Sequence, residues 1–470
     1  MVVLEKINEF VWGIPALVLI LGVGLYISIR CGFPQLTLFV RALRVFFGQF
    51  SRRDDTNGVS SYRALCTALA ATVGTGNLAG VAGAIAIGGP GAIFWMWICG
   101  MLGMATKFAE AALAVRFRVK NSNGEYVGGP MYIITKGLGD KWKPMAFAYC
   151  FFGVIACFGV GNATQVNTVI SGINSASAYF GIQGSQLGNV FLGLALAALI
   201  TTMLLGGAKR IGAIAECLVP WASIFYLVLG AIVLVVRAEY ILPAFASIIC
   251  GAFSPEAATG GILGSAFLAL RVGASRGVFT NEAGMGTASI AHASARVDHP
   301  VQQGLMGIME VFLDTIVICT ITALVILCSG VDIPYGVDVG VNLTTDAFSA
   351  IFGDWISIPI AACLCLLAIA TVLGWGLYGL RCAQYLFGDK AWKPFAVLQG
   401  CAVVVGALLG TGTVWTLSEI VNGLMAIPNL IALALLVPEL VKLTSEYKTG
   451  TREKRVPAKI ISMLRYRCQR

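Results

Sequence analysis

Charge is scarce in this chain. Only 12% of the 470 residues are Asp, Glu, Lys or Arg, while 58% are hydrophobic; a soluble domain carries about 25% charged residues. Size does not force this depletion, because a soluble fold of this length buries a core easily. Imidazole is scarcer still, with His292 and His299 alone. The fourteen cysteines lie mostly within apolar runs and form no CxxC. A zinc site and a disulfide framework are therefore not expected, and the thiols read as small apolar filler. No charged linker, low-complexity segment or soluble domain interrupts the chain. Paired aspartates, Ser/Lys or Ser/His couples and HExxH, which an intramembrane hydrolase needs, are also missing.

What is present is a series of apolar runs of about 20 residues, the length that crosses a bilayer. Eleven are placed near 10–30, 62–88, 91–115, 144–170, 187–206, 211–236, 260–294, 302–329, 355–380, 394–411 and 414–438. The intervening loops alternate in basic content. One set holds Arg41, Arg44, Arg52 and Arg53, then Arg116, Arg118 and Lys120, then Lys209 and Arg210, then Arg381, Lys390 and Lys393. The other set holds little beyond Lys6 and Arg237, and 331–354 carries four aspartates and no basic residue. By the positive-inside rule the N-terminus is outside and the C-terminus cytoplasmic. This placement accounts for the net charge of +9 and leaves no role for nucleic acid. The flank Glu5–Lys6–Glu9 is not the basic region of a cleavable signal peptide.

The second run is weak at its centre. "ATVGTGNLAG", residues 71–80, holds three glycines, two threonines and an asparagine. Gly74 and Gly76 each cost about 1 kcal/mol relative to Ala in a helix, and Thr72, Thr75 and Asn77 can rebond freed backbone. Close helix packing through small residues is the alternative. A second interruption, "VGASRGVFTNEAGMGTAS" at 272–289, holds four glycines, Arg276, Asn281 and Glu282, with Arg271 just before it. Ionisable residues inside a membrane point to function. The two interrupted runs are the second and the seventh. Five spans per unit, an odd number, turns the second unit over relative to the first, as in transporters with paired discontinuous helices. A restarting helix offers N–H groups to a carboxylate, and a terminating one offers carbonyls to a cation. A passive channel would instead favour a continuous pore. Gly74, Gly76 and Ala79 also fit a loose GxGxxA dinucleotide fingerprint, but no strand or acidic ribose partner accompanies it.

The segments "ATVGTGNLAGVAGAIAIGGPGAIFWMW", "MATKFAEAALAVRFR", "GGPMYII", "GNATQVN", "SRGVFTNEAGMGTA" and "TVLGWGLYG" together resemble the alanine/glycine:cation symporter family. The resemblance covers residues 60 to about 385 in the family's order. It implies an all-α polytopic membrane protein of eleven helices, with a leucine-transporter-like five-plus-five inverted repeat behind one extra N-terminal helix. The organisation it implies is 1–59 for the first helix and its loop, 60–236 and 237–438 for the repeats, and 439–470 for a basic cytoplasmic tail. The implied activity is cation-driven uptake of alanine or glycine across a cytoplasmic (inner) membrane, with Na+ or H+ as the coupling ion and no other cofactor. Carried over, Thr75, Gly76 and Asn77 form the unwound segment near the substrate carboxylate, and Gln165 reaches the bound amino acid. Phe279, Thr280 and Asn281 form the opposing break, and Met285 closes the side-chain pocket. Thr371 and Trp375, four apart on one helix face, lie at the ion or substrate and cap the site. Likeness to the wider leucine-transporter group puts the carbonyls of Ala70 and Val73 at a sodium site with Thr371. Ala370 stands where members often carry a second hydroxyl residue, so one ion ligand is missing.

Two pairs of charged residues inside the runs stand out. Lys107 and Glu110, three apart, are expected to form an internal ion pair and an inner gate. Glu310 and Asp314, four apart, are expected to bind polar backbone or basic partners, with Asp314 the candidate carrier of a coupling proton.

Overall fold

The computed structural model describes residues 6–7, 11–49, 59–254, 266–337, 340–408 and 411–453. Almost everything described is helix, because apolar surroundings require each backbone group to be bonded within its own segment. The first helix, α1 (Ile14–Arg30), starts with Pro15 in its first turn. An amphipathic helix, α2 (Phe39–Gln49), follows. Next comes a bent pair, α3 (Ser61–Thr72) and α4 (Val81–Gly88), joined through a π-helical turn at Gly76–Gly80. The long α5 (Gly91–Arg116) leads to a small hairpin of β1 (Val119–Lys120) and β2 (Tyr126–Val127), paired antiparallel. The helices α6 (Lys143–Phe158) and α7 (Thr164–Tyr179) are joined by a second π-helical turn at Gly159–Ala163.

After α8 (Gln186–Leu205) and α9 (Gly207–Val236) the chain forms α10 (Ala238–Phe253). No helix was expected at α10. Its 16 residues are too short to cross a bilayer upright, and it packs against α5 instead. The second interrupted span is α11 (Ala266–Asn281) and α12 (Thr287–His292). Then come α13 (Pro300–Val311) and α14 (Thr320–Ser329), joined by a π-helical stretch at Phe312–Cys319. The remainder is α15 (Asn342–Phe352), α16 (Ser357–Phe387), α17 (Trp392–Leu408) and α18 (Thr411–Glu453). The 43-residue α18 continues past 438 to Glu453, so the stretch expected to begin a polar tail is helical for its first fifteen residues.

Among the described residues, eight helices are long and apolar enough to cross a membrane, or nine if the bent α3–α4 pair counts as one. The core lies where α5 is wrapped by α11, α12 and α13, with α16 packed on α6, α7 and α3 on the other side. α5 is the most enclosed of the candidate spans, with 83% of its apolar window buried, so its polar residues must find partners within the protein.

Candidate functional site

The first break begins where Val73 turns to an extended conformation, φ −77° and ψ 103°. In an unbroken helix the Gly74 and Asn77 amides would donate to the carbonyls of Ala70 and Val73. Here the Gly74 amide donates to Asn77 Oδ1 at 2.9 Å, and the Asn77 amide donates to the Gly74 carbonyl at 3.3 Å. The Ala70 and Val73 carbonyls are thereby released from their helical partners, inside the protein, where both residues are buried. α3 and α4 diverge by 54° across this point. Asn77 holds the opening from its other end, donating from Nδ2 to Asp314 Oδ1 at 2.8 Å and to the Asp314 carbonyl at 3.2 Å.

Side chains from three other helices close on the break. Thr75 donates to Gln165 Oε1 of α7 at 3.2 Å; Gln165 Nε2 in turn donates to the Val160 carbonyl in the π-helical turn at 3.3 Å. A Cβ on Gly74 would lie 2.7 Å from Thr371 Oγ1 of α16, a contact only glycine permits. Thr280 of α11 donates to the Gly76 carbonyl at 3.4 Å and to the Arg276 carbonyl at 2.7 Å. Thus Thr75, Gly76, Asn77, Gln165, Thr280 and Thr371, drawn from positions 75 to 371 of the sequence, come together around Gly74–Gly76.

The second break differs from expectation. Phe279, Thr280 and Asn281 are the last turn of α11, since the Glu282 amide still donates to the Val278 carbonyl at 2.8 Å. The chain leaves the helix at Glu282, whose φ is +53°, and turns through Gly284 and Gly286. Nor are the freed amides open to a ligand. Glu110 Oε1 of α5 accepts from Gly284 N and Gly286 N, each at 3.0 Å, and from Asn429 Nδ2 at 2.8 Å. Asn281 is not part of the Gly74–Gly76 cluster; it lies beside Gly103 and its Oδ1 accepts from the Ala283 amide at 2.9 Å. Met285 is buried within the turn. Phe279 lines a cavity of about 210 Å³ with Trp12, Ile87, Arg276 and Glu419. Trp375 is fully buried, and its indole donates to Glu282 Oε1 at 2.8 Å.

The expected Lys107–Glu110 pair is replaced. Lys107 Nζ bonds Glu310 Oε1 at 2.9 Å, and His292 Nε2 lies 2.8 Å from the other Glu310 oxygen. The chain of contacts continues from His292 to Gln303 at 2.6 Å and from Gln303 to Ser61 at 2.5 Å. Lys107 bonds the Glu310 carboxylate, and Glu110 accepts from three N–H donors. Glu310 does bind basic partners, as expected, and Asp314 binds Asn77 and Thr315. Glu110, Glu282, His292, Gln303 and Asn429 have structural roles that spacing did not disclose, because their partners sit on helices remote in sequence. The one clue was an ionisable group in an apolar run.

A bundle of apolar helices that opens its own backbone around a threonine, asparagine and glutamine cluster has the architecture of a membrane transporter. The sodium:alanine symporter family matches residues 1–460, and the chain belongs to that family; it is a multi-pass membrane transport protein and not an enzyme. The chain is 42% identical to the sodium/alanine symporter AgcS of Methanococcus maripaludis, over 92% of this chain and 94% of that one. It is 37% identical to the probable sodium/glutamine symporter GlnT of Bacillus subtilis, over 91% and 87%. The crystal structure of MhsT in complex with L-phenylalanine shares its fold, with a TM-score of 0.58 at 14% identity, over 80% of this chain and 88% of that one.

Proposed function

We propose that this protein is a sodium-coupled symporter that takes up a small neutral amino acid, alanine or glycine, by alternating access. The observation that carries the reading is the first break. The Ala70 and Val73 carbonyls lack their helical amides, and the Thr371 hydroxyl lies against Gly74. Oxygens of this kind suit a hard monovalent cation. Next to them, Thr75, Gly76 and Gln165 offer hydrogen bonds to an amino acid carboxylate and amine. The buried Trp375 and the glycine-lined backbone leave room for a small side chain. AgcS, named as a sodium/alanine symporter, supports the ion and the substrate; GlnT shows that the family also includes a probable glutamine carrier.

In this reading the eleven crossings are α1, α3–α4, α5, α6–α7, α8, α9, α11–α12, α13–α14, α16, α17 and α18. The broken crossings are the second and the seventh, which fits a five-plus-five inverted repeat. The N-terminus is outside and the C-terminus is in the cytoplasm of a cell whose inner membrane holds the protein. Cation binding orders the first break, the amino acid docks, and both ligands favour the occluded state, which shifts the population towards inward release.

Proton coupling is the second reading, favoured by one observation: Asp314 is fully buried and bonded directly to Asn77 at the first break. Uptake of radiolabelled alanine into proteoliposomes, with and without a sodium gradient at two pH values, tests both. Uptake that needs inward sodium at both pH values supports sodium symport. Uptake driven by a proton gradient in sodium-free buffer supports the second reading, and uptake indifferent to both gradients overturns symport.

A further inference from the structure

Glu282 stands out in the second break. It is one of two non-glycine residues with positive φ among those described, at +53°, a strained conformation that persists only where the surroundings impose it. Its carboxylate is buried, a further cost unless its oxygens are satisfied. Both are: Oε1 accepts from the Trp375 indole N–H at 2.8 Å, and Oε2 accepts from the Thr287 hydroxyl at 2.6 Å. The Thr287 bond spans the break and fixes the carboxylate to the start of α12.

The other side of the indole is equally confined. A Cβ on Gly161, in the π-helical turn between α6 and α7, would lie 2.3 Å from Trp375 Cβ and 2.6 Å from Cγ. Backbone therefore abuts Trp375 on that side, and the Tyr378 ring meets it edge-on with centroids 6.0 Å apart. The Trp375 carbonyl accepts from Cys157 Sγ at 2.9 Å. A tryptophan held by packing alone can hop between rotamers; one tethered at its nitrogen, with backbone against its base, is held in one.

We propose that Glu282 is a positioning residue that sets substrate size: the strained turn aims its carboxylate at the Trp375 indole and locks the ring over the side-chain pocket, so that amino acids larger than alanine are excluded. This inference rests on the proposed transport function and on Trp375 as the cap of the site. It gives the second break a task beyond freeing backbone, since its amides are already taken by Glu110.

The test is competition by unlabelled leucine against uptake of radiolabelled alanine in proteoliposomes, for wild type, Glu282→Ala, Glu282→Gln, Trp375→Phe, Trp375→Ala and the Glu282→Ala/Trp375→Phe pair. Glu282→Ala and Trp375→Phe should each strengthen leucine competition by about tenfold relative to alanine. The pair should go no further than either alone, because both remove the same bond. Glu282→Gln keeps an acceptor for the indole and a donor for Thr287, and should retain the wild-type preference; a merely structural role predicts neither that rescue nor the non-additivity. If Glu282→Ala keeps the wild-type ratio while Trp375→Ala admits leucine, the positioning role is wrong although the cap stands. If Trp375→Ala also keeps the ratio, the cap and this inference fall together. Should Glu282→Ala not fold, Trp375→Phe decides alone: leucine admitted supports the tether, and leucine still excluded overturns it.

Discussion

Single buried polar residues carry the most weight in this molecule. Asn77 satisfies the Gly74 amide with its oxygen and Asp314 with its nitrogen. Asn77→Ala leaves the Gly74 amide and Asp314 Oδ1 buried without these bonds, while Asp314 Oδ2 keeps Thr315; each lost bond costs about 1–3 kcal/mol. Alanine uptake should fall at least about tenfold with the protein still inserted in the membrane; normal uptake by the inserted variant would remove Asn77 from the site. Lys107 and Glu310 are both fully buried. Removing one leaves an uncompensated charge, worth about 3–5 kcal/mol, whereas removing both costs less. Thermal unfolding in detergent should therefore place Lys107→Met well below the Lys107→Met/Glu310→Gln pair, and a pair as unstable as the summed singles would contradict this. At this scale the sequence was only partly legible. Gly74, Thr75, Asn77 and Gln165 drew attention because polar groups in apolar runs are costly. The acceptor of Lys107 and the donors to Glu110 were not legible, since Asn429 lies 319 positions from Glu110 and no spacing rule reaches that far.

Elements were more legible than their partners. Both interrupted helices were visible as glycine clusters inside apolar runs, although the second opens at Glu282 and not at Phe279, because α11 keeps its hydrogen bonds through the Glu282 amide. Several elements escaped: α2 and α15 lie in stretches read as loops, and α10 and the end of α18 were not expected either. α10 is short and contains Pro243 and Glu239, so it lacks the pattern of a crossing; what makes it a helix is packing on α5. A Cβ on Gly91 would sit 2.1 Å from the Gly251 carbonyl group of α10. Gly91→Leu should therefore push α10 off α5 and lower the thermal midpoint in detergent by several degrees, the result of about 1–3 kcal/mol of overpacking; an unchanged midpoint would show that α10 contributes no stability there. The extension of α18 past 438 was missed because its polar residues read as a tail, while lysine and glutamate are good helix formers.

At the level of the whole molecule, the apolar runs and the alternation of basic loops anticipated a multi-pass helical bundle, and the ordered motifs anticipated its family. What the sequence left open was how the two halves meet. The cluster at Gly74–Gly76 draws on α7, α11 and α16, and Asn77 reaches the π-helical stretch after α13. A transporter built this way should respond to its ligands as a unit. Sodium and alanine together should raise the thermal midpoint of the purified protein more than the sum of each alone, because each ligand orders part of what the other needs. Strictly additive shifts would argue against a shared occluded state.

The partners of the first break also set an order of events during synthesis. Thr280, Asp314 and Thr344 lie 204, 237 and 266 positions after the atoms they hold. Until those residues are made, the Gly76 and Leu78 carbonyls and Asn77 Nδ2 of the bent α3–α4 pair lack the partners they have in the complete chain. A nascent chain that stops before α11 should thus be a substrate for membrane quality control, and the complete chain should escape it only once its last third has emerged.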